Sequence, residues 1–244
     1  MADKSTIPII EIFGPTIQGE GALIGEQTMF VRTAGCDFKC TYCDSMHAVD
    51  KVEIRKRSIH MSQEAIANAV TDKMSVSMNW ITLSGGNPAL WDFYDFVSAM
   101  HNRGKLVAVE TQGSKWQPWI HQCDLITVSP KGPSMIKDLN WGELDEFMGH
   151  LFGSRARKIL KIVCFKEEDL DFAEEIQLRY PYMNMSLSVG NYNVSPDLAI
   201  TDLRDDLLEA YGHLISSVFR RPNLGSVTVL PQLHTLLWGN EERR

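Results

Sequence analysis

Segments with the pattern of a β-strand alternate with segments of helical pattern along most of the chain. Short apolar runs rich in branched residues indicate strands, and apolar residues that recur at helical spacing indicate helices. The predicted strands are residues 28–32, 80–83, 106–110, 125–128, 159–165, 185–189 and 227–230. The predicted helices are residues 62–71, 88–102, 143–152, 167–180 and 202–218. This alternation predicts an α/β fold with a mostly parallel sheet.

Polar residues follow the C-terminal ends of several predicted strands. They occupy positions 84–87, 110–112 and 129–131, together with Ser188. The carboxyl ends of parallel strands meet at one edge of a sheet, which is where α/β proteins bind their ligands. We therefore expect a ligand site at this edge.

Three cysteines lie close together at Cys36, Cys40 and Cys43, separated by three and then two residues. Cysteine thiolates are the usual protein ligands of iron-sulfur clusters, so this segment can hold three irons of a four-iron, four-sulfur cluster. No fourth cysteine follows nearby. The fourth iron would be open to a small molecule, and the spacing therefore predicts a cluster that takes part in chemistry.

A zinc site is the main alternative for this segment. His47 would complete a set of four tetrahedral ligands, although zinc loops more often use paired Cys-x-x-Cys arms on separate segments. A disulfide framework is disfavoured because the chain has five cysteines, an odd number, in 244 residues. Cys123 and Cys164 lie in apolar surroundings and are expected to be small buried side chains.

Composition predicts one globular domain over residues 1–244, with 44% hydrophobic and 23% charged residues. No apolar run approaches the roughly 20 residues that cross a bilayer, so we expect no membrane role and a cytoplasmic location. The net charge of -7 argues against nucleic-acid binding, because neutralising phosphates requires a basic surface. A small-molecule substrate is expected.

The cysteine segment and the Gly-Gly turn that follows the next predicted strand resemble the radical S-adenosylmethionine superfamily. Six segments narrow this resemblance to the 7-carboxy-7-deazaguanine synthase family. They are residues 14–21 (GPTIQGEG), 30–36 (FVRTAGC), 43–45 (CDS), 84–88 (SGGNP), 110–113 (ETQG) and 129–131 (SPK). The combination is specific, whereas each segment alone is a weak signal.

The resemblance implies a partial (β/α) barrel, paired as a homodimer. The implied reaction converts 6-carboxy-5,6,7,8-tetrahydropterin to 7-carboxy-7-deazaguanine and ammonia, a ring contraction on the route to queuosine, a tRNA modification, and other deazapurines. The implied cofactors are a 4Fe-4S cluster, S-adenosylmethionine and Mg²⁺, with an electron donor such as flavodoxin or ferredoxin. An activating enzyme of the same superfamily, acting on a protein, is the alternative.

The resemblance also implies a cofactor site. The residues expected at S-adenosylmethionine are Tyr42, Cys43, Asp44, Gly85, Gly86, Glu110, Ser129, Pro130, Lys131 and Ser188. Glu110 ends an apolar strand, so its carboxylate needs either a ligand or an ion-pair partner. Many superfamily members carry Glu where this chain has Asn87, which replaces a charged contact by a neutral one.

The substrate residues implied by the resemblance are Ile17, Gln18, Gly19, Arg32, Ser84 and His234. A guanidinium binds a carboxylate through two parallel hydrogen bonds, and Arg32 is placed to do so; a structural ion pair with Glu20 or Asp44 is the alternative. Ser45 is expected to hold Mg²⁺.

The C-terminal segment, residues 230–240, is unusually apolar for a chain end and is expected to pack back over the site. By resemblance His234 lies near the substrate, and a satisfied core histidine is an equal alternative. Trp238 is expected either to close the pocket or to fill a dimer interface.

Overall fold

In the computed structural model, which describes residues 6–195 and 198–243, nine strands form one sheet. The strands are β1 (Thr6–Ile17), β2 (Gln27–Thr33), β3 (Ile59–Ser62), β4 (Trp80–Gly85), β5 (Leu106–Thr111), β6 (Leu125–Val128), β7 (Arg157–Cys164), β8 (Asn184–Val189) and β9 (Thr228–Leu230). Their order is β3-β1-β2-β4-β5-β6-β7-β8-β9. Successive pairs from β2 to β9 are parallel, and the sheet stays open between its edges β3 and β9. The predicted α/β fold with a mostly parallel sheet is confirmed.

Helices cover the outer face of this sheet. Among the described residues they are α1 (Lys51–Arg57), α2 (Gln63–Thr71), α3 (Tyr94–Asn102), α4 (Trp141–Leu151), α5 (Glu167–Arg179), α6 (Ile200–Phe219) and α7 (Leu233–Trp238). Side chains before several of them cap free backbone N–H groups: Asp50 accepts from Val52 ahead of α1, Ser62 from Ala65 ahead of α2, and Asn140 from Gly142 ahead of α4.

The prediction of one helix over residues 88–102 is wrong at its start. Pro88–Leu90 form a single 3₁₀ turn, with the Asn87 side chain accepting from the backbone N–H of Ala89. A second start follows, because the carboxylate of Asp92 accepts from the N–H of Tyr94 at 2.9 Å. Two capping side chains thus divide an apolar pattern that looked continuous.

Strands β1 and β3 were not predicted. Both are antiparallel to their neighbours, β1 pairing with β2 and β3 pairing with β1. The Gly14–Pro15 dipeptide interrupts the apolar strand pattern of β1. The register of β1 against β2 shifts at this point, between Phe13 and Thr16. A Gly-Pro pair reads as a turn in a sequence, which hides the strand on either side of it.

Alternation along the strands separates the core from the concave face. In β7, Leu160 and Ile162 belong to the main core under the helices, whereas Lys161 and Val163 line a cavity on the other face. This is the two-residue period of an extended strand. At the far end of the concave face the apolar side chains of Leu23, Ala108, Leu125 and Ile159 form a small separate cluster.

Candidate active site

A cavity of about 250 Å³ opens on the concave face. Most of the predicted site residues line it, drawn from segments far apart in the sequence. These are Ile17, Gln18, Gly19, Arg32, Cys36, Cys40, Tyr42, Cys43, Asp44, Ser45, Ser84, Gly85, Gly86, Glu110, Ser129, Lys131 and His234. Pro130 and Ser188 are not on its wall, and Ser188 is fully buried in β8.

One end of the cavity carries the three thiols of Cys36, Cys40 and Cys43, which are free cysteines. Burial raises the pKa of all three, and burial together with the Asp44 carboxylate raises the pKa of Cys43 to about 12. The Lys131 ammonium opposes these rises. A metal binds thiolate, so these groups must release their protons when a cluster binds. Three soft ligands in one cavity beside a cation fit an anionic iron-sulfur cluster.

The zinc alternative requires His47 to join the cysteines. Instead, His47 Nε2 lies 3.5 Å from an oxygen of Glu11, and its Nδ1 lies 3.9 Å from Glu242. Within residues 6–195 and 198–243, no group of three or more His, Cys, Asp and Glu side chains is placed to hold a metal ion. Zinc needs its ligands around one ion, whereas a cluster spreads its thiolates over several irons. The arrangement favours the cluster.

The turn after β4 holds the start of the cysteine segment. The N–H of Asn87 donates to the carbonyl of Gly35 at 2.8 Å, and the Asn87 side-chain amide donates to Asp37 Oδ1 at 2.9 Å. Gln112 Nε2 donates to the same oxygen at 2.6 Å. A Cβ on Gly86 would lie 2.1 Å from the carbonyl oxygen of Gly35, so only glycine permits this approach. Asn87 is fully buried and is not on the cavity wall.

A buried ion network lies deeper in the cavity and includes two residues absent from the sequence-based prediction, Lys161 and Gln232. Lys161 Nζ lies 2.7 Å from Glu20 and also pairs with Glu110, and the Lys161 side chain is only 3% exposed. Gln232 Nε2 donates to the other oxygen of Glu20 at 2.8 Å. The partner that the carboxylate of Glu110 needed is therefore a lysine. We call Glu20, Glu110, Lys161 and Gln232 the cavity floor.

The charges of the cavity floor support one another. Burial alone would lower the pKa of Lys161, but the carboxylates of Glu110 and Glu20 raise it. Burial alone would raise the pKa of Glu20, but Lys161 and His234 lower it. Glu20 and Lys161 are thus held in their charged forms by mutual attraction in a weakly solvated space.

Arg32 lies on the cavity wall and is held by Glu11, not by Glu20 or Asp44 as in the alternative of a structural ion pair. Arg32 Nε donates to Glu11 Oε1 at 2.7 Å, and Nη1 donates to the hydroxyl of Ser45 at 2.6 Å. Burial alone would raise the pKa of Glu11, but contacts that include His47 and Arg32 lower it to about 2. The guanidinium is thereby fixed in orientation at the cavity wall.

The C-terminal segment lies across the cavity. The N–H of Leu233 donates to the carbonyl of Gly19 at 2.9 Å, and a Cβ on Gly19 would lie 2.0 Å from Nδ1 of His234. Farther along, Asn240 accepts a hydrogen bond from Asn191 at 2.9 Å. Arg243 Nε reaches Glu11 Oε2 at 3.0 Å. Trp238 is not on the cavity wall.

The cavity residues that the sequence analysis did not predict differ in how strong a signal the sequence gives for them. Glu11 and Lys161 are single charged residues inside apolar strand patterns, and an isolated charge in such a run signals a functional or paired group. Gln232 carries no such signal, because its contact with Glu20 joins residues 212 positions apart.

Comparison with known proteins identifies the family to which this chain belongs. The Radical SAM superfamily model matches residues 30–171. A 7-carboxy-7-deazaguanine synthase from Bacillus subtilis is 43% identical over 96% of this chain and 97% of its own length. One from Bacillus cereus is 41% identical over 97% of this chain and 98% of its own length. The chain belongs to the 7-carboxy-7-deazaguanine synthase family.

A solved structure agrees on the fold. QueE from Escherichia coli superposes with a TM-score of 0.68, at 19% identity, over 94% of this chain and 95% of that chain. The radical S-adenosylmethionine fold expected from the sequence is confirmed, and family membership brings with it the 4Fe-4S cluster and S-adenosylmethionine as cofactors. Membership also favours the synthase over a protein-activating enzyme. None of the helices in the described parts of the chain is long and apolar enough to cross a membrane.

Proposed function

We propose that this chain converts 6-carboxy-5,6,7,8-tetrahydropterin to 7-carboxy-7-deazaguanine and ammonia, using the cavity of the concave face as its active site. The observation that carries the proposal is the chemistry brought together in one cavity. Three free thiols, a guanidinium fixed by Glu11 and Ser45, and a buried ion network all line it. When bound, the cluster and S-adenosylmethionine supply the one-electron chemistry that removes and later returns a hydrogen atom of the pterin.

Arg32 is proposed to bind the carboxylate of the pterin. Its Nε and Nη1 are occupied by Glu11 and Ser45, which fix the plane of the guanidinium at the cavity wall. A planar guanidinium with remaining N–H donors recognises a carboxylate better than an ammonium does. The acid group would then anchor the substrate at this part of the cavity wall.

Within the cavity floor, Glu20, Lys161 and Gln232 are proposed to read the pyrimidine edge of the pterin, while Glu110 faces the cofactor. Among the described residues Gln232 Oε1 is buried with no hydrogen-bond partner, and leaving such an acceptor unsatisfied costs about 1–3 kcal/mol. The ring N–H and amino groups of a pterin are matching donors. Ile17, Gln18, Gly19, Ser84 and His234 complete this proposed substrate site.

The remaining predicted residues are proposed at the cofactors. Lys131 Nζ donates to the hydroxyl of Ser129 at 3.0 Å, which aims both groups into the cavity where S-adenosylmethionine would bind. Tyr42, Asp44, Gly85, Gly86 and Glu110 share that assignment. Ser45, whose hydroxyl donates to Asp44 at 3.0 Å, offers a hard oxygen ligand and is the proposed Mg²⁺ ligand.

We further propose one domain that the C-terminal segment closes, a cytoplasmic homodimer, and a flavodoxin or ferredoxin as electron donor. These features follow the family resemblance. The acidic net charge of -7 supports a small-molecule substrate over a nucleic acid.

The test is anaerobic reconstitution with iron and sulfide, followed by S-adenosylmethionine, reductant, Mg²⁺ and 6-carboxytetrahydropterin. Mass spectrometry should detect 7-carboxy-7-deazaguanine, and omission of the reductant should abolish it. Formation of 5'-deoxyadenosine alone would overturn the substrate assignment. A colourless protein that binds zinc would overturn the cluster assignment as well.

A further inference from the structure

Asn87 uses every hydrogen-bonding position of its side chain without facing the cavity. Its Oδ1 accepts from the hydroxyl of Thr111 at 2.8 Å and from the N–H of Ala89 at 3.1 Å. Its Nδ2 donates to Asp37 at 2.9 Å and to the hydroxyl of Ser114 at 3.2 Å. Four hydrogen bonds to a fully buried amide fix both its orientation and its residue type, because each partner requires either a donor or an acceptor at that point.

Asp37 follows the first cysteine directly, and the same oxygen, Oδ1, accepts from both Asn87 and Gln112. Gln112 Nε2 also lies 3.7 Å from Cys36 Sγ as a hydrogen-bond donor. The two amides come from the ends of β4 and β5, so they tie the cysteine segment to two neighbouring strands.

We propose that Asn87, Asp37 and Gln112 form an amide clamp that positions the cysteine segment for cluster binding, and that the Gln112 amide tunes the cluster through its hydrogen bond to Cys36. This rests on the proposed cluster at Cys36, Cys40 and Cys43. The side chain at position 87 is a positioning residue, and it must be a donor because its partner at position 37 is a carboxylate. An acidic side chain at position 87 would instead require a donor at position 37.

The clamp predicts an exchange of partners between positions 37 and 87. Asn87→Asp keeps the size and the cap on Ala89 but sets two carboxylates against each other. The double variant Asp37→Asn, Asn87→Asp restores one donor and one acceptor between these two positions with the roles reversed, but Gln112 loses its acceptor because both amides share Oδ1 of Asp37. Asp37→Asn alone keeps an acceptor oxygen for both amides. Groups that hold metal ligands in place typically contribute ten- to a hundredfold to metal affinity.

The experiment measures iron and sulfide bound per chain, and the electron paramagnetic resonance spectrum of the reduced cluster, after anaerobic reconstitution of all variants. Asn87→Asp should weaken cluster retention roughly ten- to a hundredfold against a chelator, and the double variant should recover part of that loss, because the hydrogen bond between positions 37 and 87 is restored while that of Gln112 is not. The matched control is Asn140→Asp, another capping asparagine, which should behave as the parent does. Equal loss in the single and double variants would overturn the clamp.

A second measurement isolates Gln112. Gln112→Leu removes the N–H donor near Cys36 Sγ, and hydrogen bonds to cluster sulfurs favour the reduced, more negative state. The midpoint potential of the cluster should therefore become more negative, and an unchanged potential would overturn the tuning role. Failure of the parent chain to assemble any cluster would defeat the proposed function itself, whereas normal assembly with no effect of Asn87→Asp would defeat only the clamp.

Discussion

The two ends of the cavity are built in different ways. At the cluster end, Cys36, Cys40 and Cys43 come from one short segment of the chain. At the floor, Glu20, Glu110, Lys161 and Gln232 come from four separate segments. The first end is local in sequence, and the second exists only after the sheet and the C-terminal segment have assembled.

The ends also differ in how their charge is balanced. Burial raises the pKa of the cysteines, so without metal they are favoured as neutral thiols, and the bound metal must supply the balance. The floor carries its own counter-charge, because the ammonium of Lys161 pairs with both Glu20 and Glu110. Damage at the cluster end should therefore remove chemistry and leave folding intact, whereas damage at the floor should weaken both.

The largest effect is expected from Cys40→Ala. Losing one of three thiolates should abolish cluster assembly and product formation together, because an iron of the cluster would lose its protein ligand. Iron content and product yield are the measurements, and the melting temperature of the metal-free variant should stay near that of the metal-free parent. Cys123→Ala, at a buried cysteine outside the cavity, is the control and should retain iron. Full activity in Cys40→Ala would refute the cluster assignment.

Lys161→Met should have the next largest effect, and it acts on stability as well as activity. It leaves the carboxylates of Glu20 and Glu110 buried without their cation, and breaking a buried ion pair costs about 3–5 kcal/mol. Urea unfolding measures the loss. Lys158→Met, on the same strand but bonded only to backbone carbonyls of Leu151 and Ser154, is the control and should lose much less.

Lys161→Met should also reverse the pH dependence of the stability that Glu20 contributes. In the parent chain the pKa of Glu20 is lowered from 4.5, so its contribution to stability is present above pH 4.5 and is lost as the pH falls through the folded-state value. Without Lys161, burial would raise the pKa of Glu20, so stability would be greatest below 4.5 and would fall as the pH rises through the raised value. An unchanged pH profile would show that Lys161 does not hold the charge of Glu20.

The difference between the two ends also explains what the sequence could reveal. The spacing of the cysteines and the turn at Gly85 are local, and both were readable without a structure. Lys161 was visible only as a charge inside an apolar strand, and its partners were not. Gln232 meets Glu20 across 212 positions, a contact that no local pattern encodes. At Asn87 the sequence showed only that a neutral side chain stands where many superfamily members carry Glu, because a single sequence does not show that Asp37 is its partner.

Arg32→Lys tests substrate binding without removing charge. A lysine lacks the planar pair of donors, so affinity for 6-carboxypterin should fall by about tenfold, or about 1.4 kcal/mol, while affinity for S-adenosylmethionine stays unchanged. Calorimetric titration of each ligand separates the two. Arg179→Lys, in an exposed pair with Asp145, is the control. Equal losses for both ligands would indicate a general disturbance of the cavity.

The smallest effect is expected from Arg243→Ala, at the end of the C-terminal segment. Glu11 lies between two guanidiniums, those of Arg32 and Arg243, so the trio carries a net positive charge that favours an incoming carboxylate. Arg243 is 65% exposed, and exposed ion pairs contribute about 0–1 kcal/mol, so KM for the pterin should rise about two- to fivefold with kcat unchanged. Arg220→Ala, 67% exposed and away from the cavity, is the control. A fall in kcat instead would mean that the C-terminal segment orders the reacting groups rather than adding positive charge. Closure of the cavity by this segment would then matter more than the charge of Arg243.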